Sequence, residues 1–180
     1  MFRREKISRA EGPHECKTSC VLPDSLLLSI MPQSLVSNCI HLVFSTKNRE
    51  ARLTSELRPP LFAVLANLVK DQKGFIHKVG GVDDHVHLAF QLHPTVALSK
   101  MVQVVKSESS KWIKEQLGSS KDFAWQKGYG AFSVGKSQEV DLIQYVENQE
   151  RHHKRESFED EFRGLCDRYG IEIDERYVWE

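Results

Sequence analysis

The sequence predicts an α+β chain in which helices pack on an antiparallel sheet. Three observations carry that prediction. Short runs rich in Val, Ile and Phe alternate with long amphipathic stretches of helical period. Two of the short runs lie so close together that only a hairpin can join them. Gly or Asp marks the joints. At 180 residues, 40% hydrophobic and 28% charged, the chain has the composition of an ordinary soluble globular protein. It can bury a sizeable core as one domain but is too short for an eight-stranded α/β barrel.

Residues 1–30 lack any clear period and contain a Gly-Pro pair, whereas Met31 opens a chain that reads well from its first residue. The expectation is a leader or misassigned start over 1–30 and one domain over 31–180. "CVLPDSLLLSIM" has the look of a signal peptide, but Pro23 and Asp24 interrupt its apolar run and no small-residue cleavage site follows.

From there the elements follow in order. "NCIHLVFST" (38–46) is apolar and β-branched enough for a central strand. Residues 53–72 read as a helix, with Thr54 as N-cap and the Pro59–Pro60 pair in its first turn, where missing N–H groups cost nothing. "GFIHKVGGV" (74–82) and "HVHLAFQL" (85–92) are strands joined through Asp83–Asp84 as a hairpin. Residues 95–117 form a long amphipathic helix with apolar side chains three and four apart. Residues 123–135 hold short strand-like pieces broken by Gly128 and Gly130, glycines that suit a close backbone approach, a bulge or a turn. Residues 137–156 make a helix with Ser137 as N-cap and acids early, and 157–170 make a last helix closed by Gly170. The order β-α-β-β-α-β-α is the split βαβ arrangement of a ferredoxin-like or RRM-like sheet.

Net charge is zero and the pI about 7.1, which at first argues against a polyanionic partner. The average hides a split: 14 Lys and Arg against 8 Asp and Glu over 31–136, but 6 against 13 over 137–180. A basic body can still present a basic face; scattered solvated charge fits the counts as well. Four cysteines, Cys16, Cys20, Cys39 and Cys166, form neither a zinc pattern nor a disulfide framework, so a reducing cytoplasm is expected. No run approaches the roughly 18 apolar residues of a membrane span.

The chemistry begins with "HVHLAF". Residues i and i+2 of a strand share a face, so His85 and His87 project together, while Val86, Leu88 and Phe90 make the opposite, core side. The histidines are therefore expected where a ligand can reach them, although two surface histidines would give the same spacing. Neighbouring residues narrow the choice. Ala89 ends both an alternating-histidine triad and a His-x-Thr/Ser pattern, and His-Glu-x-x-His is absent. Downstream, "LIQYVENQERHH" sets Tyr145 and Gln149 one turn apart on a helical face, with His153 continuing that face and His152 beside it. A tyrosine there also reads as core packing, but Asn148, Gln149, His152 and His153 are not the companions of an apolar stripe.

"HVHLAF", a long helix and then "YVENQERHH", together with the opening stretch "MPQSLVSNCIHLVFSTKNRE", resemble the single-tyrosine HUH transposases, in which a bulky apolar residue separates two histidines. The resemblance runs from Met31 nearly to the C-terminus and implies the HUH endonuclease type of sheet. It further implies a bacterial insertion-sequence enzyme that cuts and rejoins single-stranded DNA in the cytoplasm, at the nucleoid when acting. By that resemblance Tyr145 is the nucleophile, and His85, His87 and Gln149 hold a divalent cation, Mg²⁺ or Mn²⁺. ATP is not required, in keeping with the lack of a phosphate-binding glycine loop. The implied partners are DNA with terminal hairpins and a second copy of the chain, with the tyrosine acting in cis or in trans. Lys47, Arg49, Lys106, Lys111 and Lys136 are the candidate phosphate contacts, against ordinary solvated charge. The rival readings are a related nicking enzyme (replication initiator or relaxase), a domesticated hairpin-binding protein that does not cut, and metal binding for stability alone.

Overall fold

The computed structural model describes residues 35–118, 122–153, 157–176 and 178. The chain divides into residues 1–35 and 36–180, and every element among the described residues belongs to the second unit; the expected leader over 1–30 lies outside the described residues. In chain order the elements are β1 (Cys39–Ser45), α1 (Arg58–Asp71), β2 (Phe75–Gly81), β3 (His85–Gln91), α2 (Leu98–Gln116), β4 (Gly130–Val134), α3 (Glu139–Glu147), the one-turn α4 (Gln149–His152) and α5 (Phe158–Arg168). The sheet runs β2-β3-β1-β4 and all three pairings are antiparallel. This is the split βαβ order, an α+β sheet with helices packed on it.

Strand parity decides which side each residue serves. Ile40, Leu42 and Phe44 of β1 and Val86, Leu88 and Phe90 of β3 join Leu61, Leu65 and Val69 of α1 and Met101, Val102, Val105 and Ile113 of α2 in the main core. Each such side chain contributes about 1.5–3 kcal/mol by leaving water. The other face is covered too. Cys39 and Ala89 pack with Leu142 and Val146 of α3, and Val43 and Phe132 pack with Phe158, Phe162, Leu165 and Cys166 of α5. Covered on both faces, β1 is buried at all seven positions. Cys39 and Cys166 are free thiols in this core.

Several boundaries differ from the sequence reading. The first helix starts at Arg58, not near residue 53. Thr54 instead closes the turn before it, its Oγ1 accepting from the Leu57 N–H at 3.4 Å. Within 123–135 only Gly130–Val134 joins the sheet, while Trp125 makes a single bridge to Thr46. Ser137 is not an N-cap: it sits inside a 3-10 turn, Lys136–Gln138, and no side chain caps α3. The helix expected over 137–156 breaks at Asn148 (φ −95, ψ 15). There the Asn148 Nδ2 donates to the Gln144 carbonyl at 2.7 Å, a local side-chain bond that competes with the helix. Ser157 caps α5 as its type suggests, accepting from the Asp160 N–H at 3.2 Å, and Gly170 follows with φ +64.

Two glycines let the second helical layer lie close. A Cβ on Gly80 of β2 would meet the Val146 carbonyl oxygen of α3 at 2.0 Å, and one on Gly130 would meet the Phe162 ring of α5 at 2.7 Å. Gly130 is thus needed for packing.

Candidate metal and nucleophile site

The odd residues of β3 point into the layer formed by α3, α4 and α5. His85 and His87 share that face, as their spacing requires, but they are not open to solvent: both are fully buried, because the segment from Glu139 onward folds over them. The expected accessible pair is therefore a roofed one.

Each imidazole is held through its Nδ1. Asp84 Oδ1 lies 2.6 Å from His85 Nδ1, and His41 Nε2 lies 2.9 Å from His87 Nδ1. A carboxylate on Nδ1 accepts its proton and leaves the His85 Nε2 lone pair bare. In the tautomer where His87 Nδ1 donates to His41, the His87 Nε2 lone pair is bare as well. Burial pushes His87 down to about 4, against the neighbouring Glu161 carboxylate, and burial with His87 alongside takes His41 down to about 3. Both are neutral at physiological pH, the form that ligates metals.

Glu161, 4% exposed, stands at the centre. Its Oε2 lies 3.0 Å from His153 Nε2, 3.6 Å from His87 Nε2 and 3.7 Å from His85 Nε2. Its Oε1 accepts from the Tyr145 hydroxyl and from Gln149 Nε2 at 3.2 Å. Burial works to raise this carboxyl, but the hydrogen bond from His153, the adjacent His87 imidazole and the Tyr145 hydroxyl together hold it below the usual carboxylate range. The half-buried Tyr145 is carried by α3, its ring 5.9 Å from those of His41 and His87. It lines a pocket of about 300 Å³ with His41, Asp141 and Arg168.

Three buried polar atoms have no hydrogen-bond partner among the described residues of this site: His85 Nε2, His87 Nε2 and Gln149 Oε1. Leaving such atoms unmet costs about 1–3 kcal/mol each. Two imidazole nitrogens and an amide oxygen are also donors suited to a divalent cation. One ligand atom from each of His85, His87, His153 and Glu161 falls within 4.8 Å of the others. The residues present fit a metal ion.

The structure thus brings together four residues expected from sequence, His85, His87, Tyr145 and Gln149. It adds four that sequence reasoning left without a role: His41, Asp84, His153 and Glu161. The five candidate cations are dispersed. Lys106 Nζ donates to the carbonyls of Gln126 (2.7 Å), Lys127 (3.2 Å) and Gly128 (2.7 Å) and lies 5.5 Å from the Phe44 ring centroid. Burial lowers its ammonium to about 8. It lines a groove with Lys114, Lys127 and Tyr129, and Lys47 lines a second one with Lys127. Arg49 pairs with Glu159 at 2.7 Å, Lys111 with Glu108 at 2.8 Å and Lys136 with Glu139 at 2.7 Å.

Residues 34–149 match the family model described as IS200-like transposase. Transposases for insertion sequence element IS200 from Salmonella typhimurium and Salmonella typhi are each 28% identical over 119 residues, covering 62% of this chain and 77% of theirs. Two solved structures share the fold. A protein of Deinococcus radiodurans assigned as a transposase has a TM-score of 0.53 at 21% identity, over 66% of this chain and 96% of its own. A REP-associated tyrosine transposase bound to a REP hairpin has a TM-score of 0.51 at 13% identity, over 68% and 73%.

Proposed function

Because the chain belongs to the IS200-like transposase family, an enzyme family of DNA transposition, we propose that it cleaves and rejoins single-stranded DNA at the ends of an insertion sequence through a covalent link to Tyr145. The observation that carries this reading is convergence. The Tyr145 hydroxyl, Gln149 and the bare Nε2 atoms of His85 and His87 meet around one buried point although they come from different elements.

In the proposed reaction the phenol oxygen of Tyr145 attacks a backbone phosphorus. The phenol releases its proton to solvent, a phosphorus–tyrosine oxygen bond forms, the bond to the 3′ oxygen breaks, and that oxygen takes a proton from solvent and leaves as a free 3′-hydroxyl. Rejoining is the reverse attack by a 3′-hydroxyl, so the bond energy is kept in the protein–DNA link and no ATP is needed. Glu161 receives the phenol hydrogen bond and fixes the direction of the oxygen. By accepting that hydrogen bond it orients the phenol. His85, His87 and Gln149 would hold the divalent cation, Mg²⁺ or Mn²⁺. When bound, that ion supplies positive charge for the scissile phosphate and for the phenolate, whose unperturbed pKa is about 10. Arg168, on the same pocket as Tyr145, is placed to meet a phosphate. Hairpin DNA is the proposed partner by analogy with the hairpin-bound relative, and a homodimer with tyrosines used in cis or in trans is the proposed assembly.

The test is a covalent adduct. Purified protein is mixed with end-labelled single strands from its own genomic flanks and Mg²⁺ or Mn²⁺, then denatured. A protein–DNA band lost in Tyr145→Phe and in EDTA is the expected result. Tight hairpin binding with no band under any metal would overturn the reading in favour of a binder that does not cut.

A further inference from the structure

The family match ends at Gln149, yet the residue at the centre of the site lies beyond it on α5. We infer that Glu161 and His153 are themselves metal ligands, completing with His85 and His87 a centre of three imidazoles and one carboxylate. This rests on the reading of His85 and His87 as a metal pair.

Four observations carry it. The ligand atoms of these residues lie within 4.8 Å of one another, close enough to share one ion. Glu161 Oε2 faces the Nε2 atoms of all three imidazoles, at 3.0 Å from His153, 3.6 Å from His87 and 3.7 Å from His85. The two longer contacts exceed a hydrogen bond, and the His85 and His87 nitrogens remain unpartnered. These nitrogens face a carboxylate oxygen without bonding to it, as donors around a shared cation do. Finally, α5 buries an acid inside its own apolar stripe: Glu161 sits with Phe158, Phe162 and Leu165 on the inward face. An ionised carboxylate in such a place is strongly disfavoured unless paired. A divalent cation shared with the three imidazoles would supply the opposing charge.

The donor set has a consequence for the ion. Mg²⁺ prefers oxygen ligands and retains its waters, whereas three imidazoles favour Mn²⁺ and the later transition metals. Gln149 then serves on both sides, its Oε1 toward the ion and its Nε2 on Glu161 Oε1.

The test measures metal binding apart from cleavage. Full-length wild type, Glu161→Gln, His153→Gln and His85→Ala are titrated with Mn²⁺ by following the free-ion electron spin resonance signal. Folding is checked by circular dichroism in EDTA. The inference expects Mn²⁺ to bind wild type more tightly than Mg²⁺ and Glu161→Gln to lose at least about tenfold in affinity, the least that disturbing a ligand shell costs. It also expects nitrogen couplings from three imidazoles in wild type and from two in His153→Gln. Glu161→Gln binding Mn²⁺ as wild type does, while His85→Ala does not, would overturn the inference and leave the His85–His87 reading standing. Two imidazole couplings in wild type would remove His153 from the set, whatever the variants do. No Mn²⁺ binding by wild type would overturn both readings together.

Discussion

The same substitution at two glycines should change stability in opposite directions. At Gly80 an added Cβ meets the Val146 carbonyl oxygen at 2.0 Å, the Val146 carbonyl carbon at 3.0 Å and its Cγ1 at 3.1 Å. An ordinary carbon–oxygen contact needs roughly 3.3 Å, so α3 and β2 must separate by about 1 Å. Backbone, not a flexible side-chain tip, has to give. Overpacking of this kind costs about 1–3 kcal/mol, and at about 2–4 °C per kcal/mol for a chain of this size the melting temperature falls by roughly 2–12 °C. Val146 follows Tyr145, so the displacement also reaches the phenol and its bond to Glu161. At Gly164, exposed on α5, a Cβ meets nothing within 4 Å. There alanine should stabilise by about 0.5–1 kcal/mol, the helix-interior difference between the two residues. Thermal melts of Gly80→Ala and Gly164→Ala, with adduct formation assayed beside them, check both signs. A Gly80→Ala protein that melts and reacts as wild type does would refute the reasoning that this glycine sets how closely α3 approaches the sheet.

Four further outcomes are expected. Lys106, lowered to about 8 when folded against about 10.4 unfolded, binds fewer protons folded than unfolded between those values; its contribution to stability therefore rises with pH across that window and is lost as pH falls through about 8. The wild-type minus Lys106→Met difference in melting temperature from pH 7 to 10.5 should show it, and a flat difference would count against it. Ser109→Ala removes the acceptor of the buried Trp125 indole N–H (3.0 Å) and should cost about 1–3 kcal/mol in a urea melt. Asp84→Asn, by weakening the acceptor on His85 Nδ1, should reduce Mn²⁺ affinity by about 10–100-fold in calorimetry without unfolding the chain. Metal at a hundred times its Kd should stabilise wild type by about 2.7 kcal/mol, visible as a melting shift reversed by EDTA and absent in His85→Ala.

What could be read from sequence follows the range of the forces involved. The period-two rule put His85 and His87 on one face and Val86, Leu88 and Phe90 on the other, and β3 obeys it because both of its faces are buried. Tyr145 and Gln149, four apart, do meet, despite a break between them that residue spacing does not reveal. That break depends on the Asn148 amide reaching the Gln144 carbonyl, a choice between two local bonds of similar worth. Burial of the histidines was not legible, because it depends on α5 returning across the sheet from more than seventy residues later in the chain. Two signals were nevertheless present. His41 is a lone polar residue in the apolar run of β1, on the parity of Cys39 and Val43. Glu161 interrupts the apolar stripe Phe158, Phe162, Leu165 at the position where another apolar residue belongs. A polar residue at a core position is evidence of a partner, and here the two signals lead to the same site.

The charge split between the body and the C-terminal part takes on a different meaning in the fold. A basic stretch followed by an acidic one invites the reading of a polyanion face with an acidic tail. Four ion pairs instead run between the two: Arg49 with Glu159, Arg58 with Glu150 at 3.0 Å, Lys78 with Glu147 at 2.6 Å and Lys136 with Glu139. The acids of α3, α4 and α5 lie against cations of the sheet and its loops, so part of the segregation in sequence is complementarity within one domain. Each of these pairs has at least one partner with a third or more of its side chain exposed to solvent, which keeps its contribution small. Arg49 is the informative case: the carboxylate that occupies it, on Glu159, stands two residues before the carboxylate that occupies the site, on Glu161.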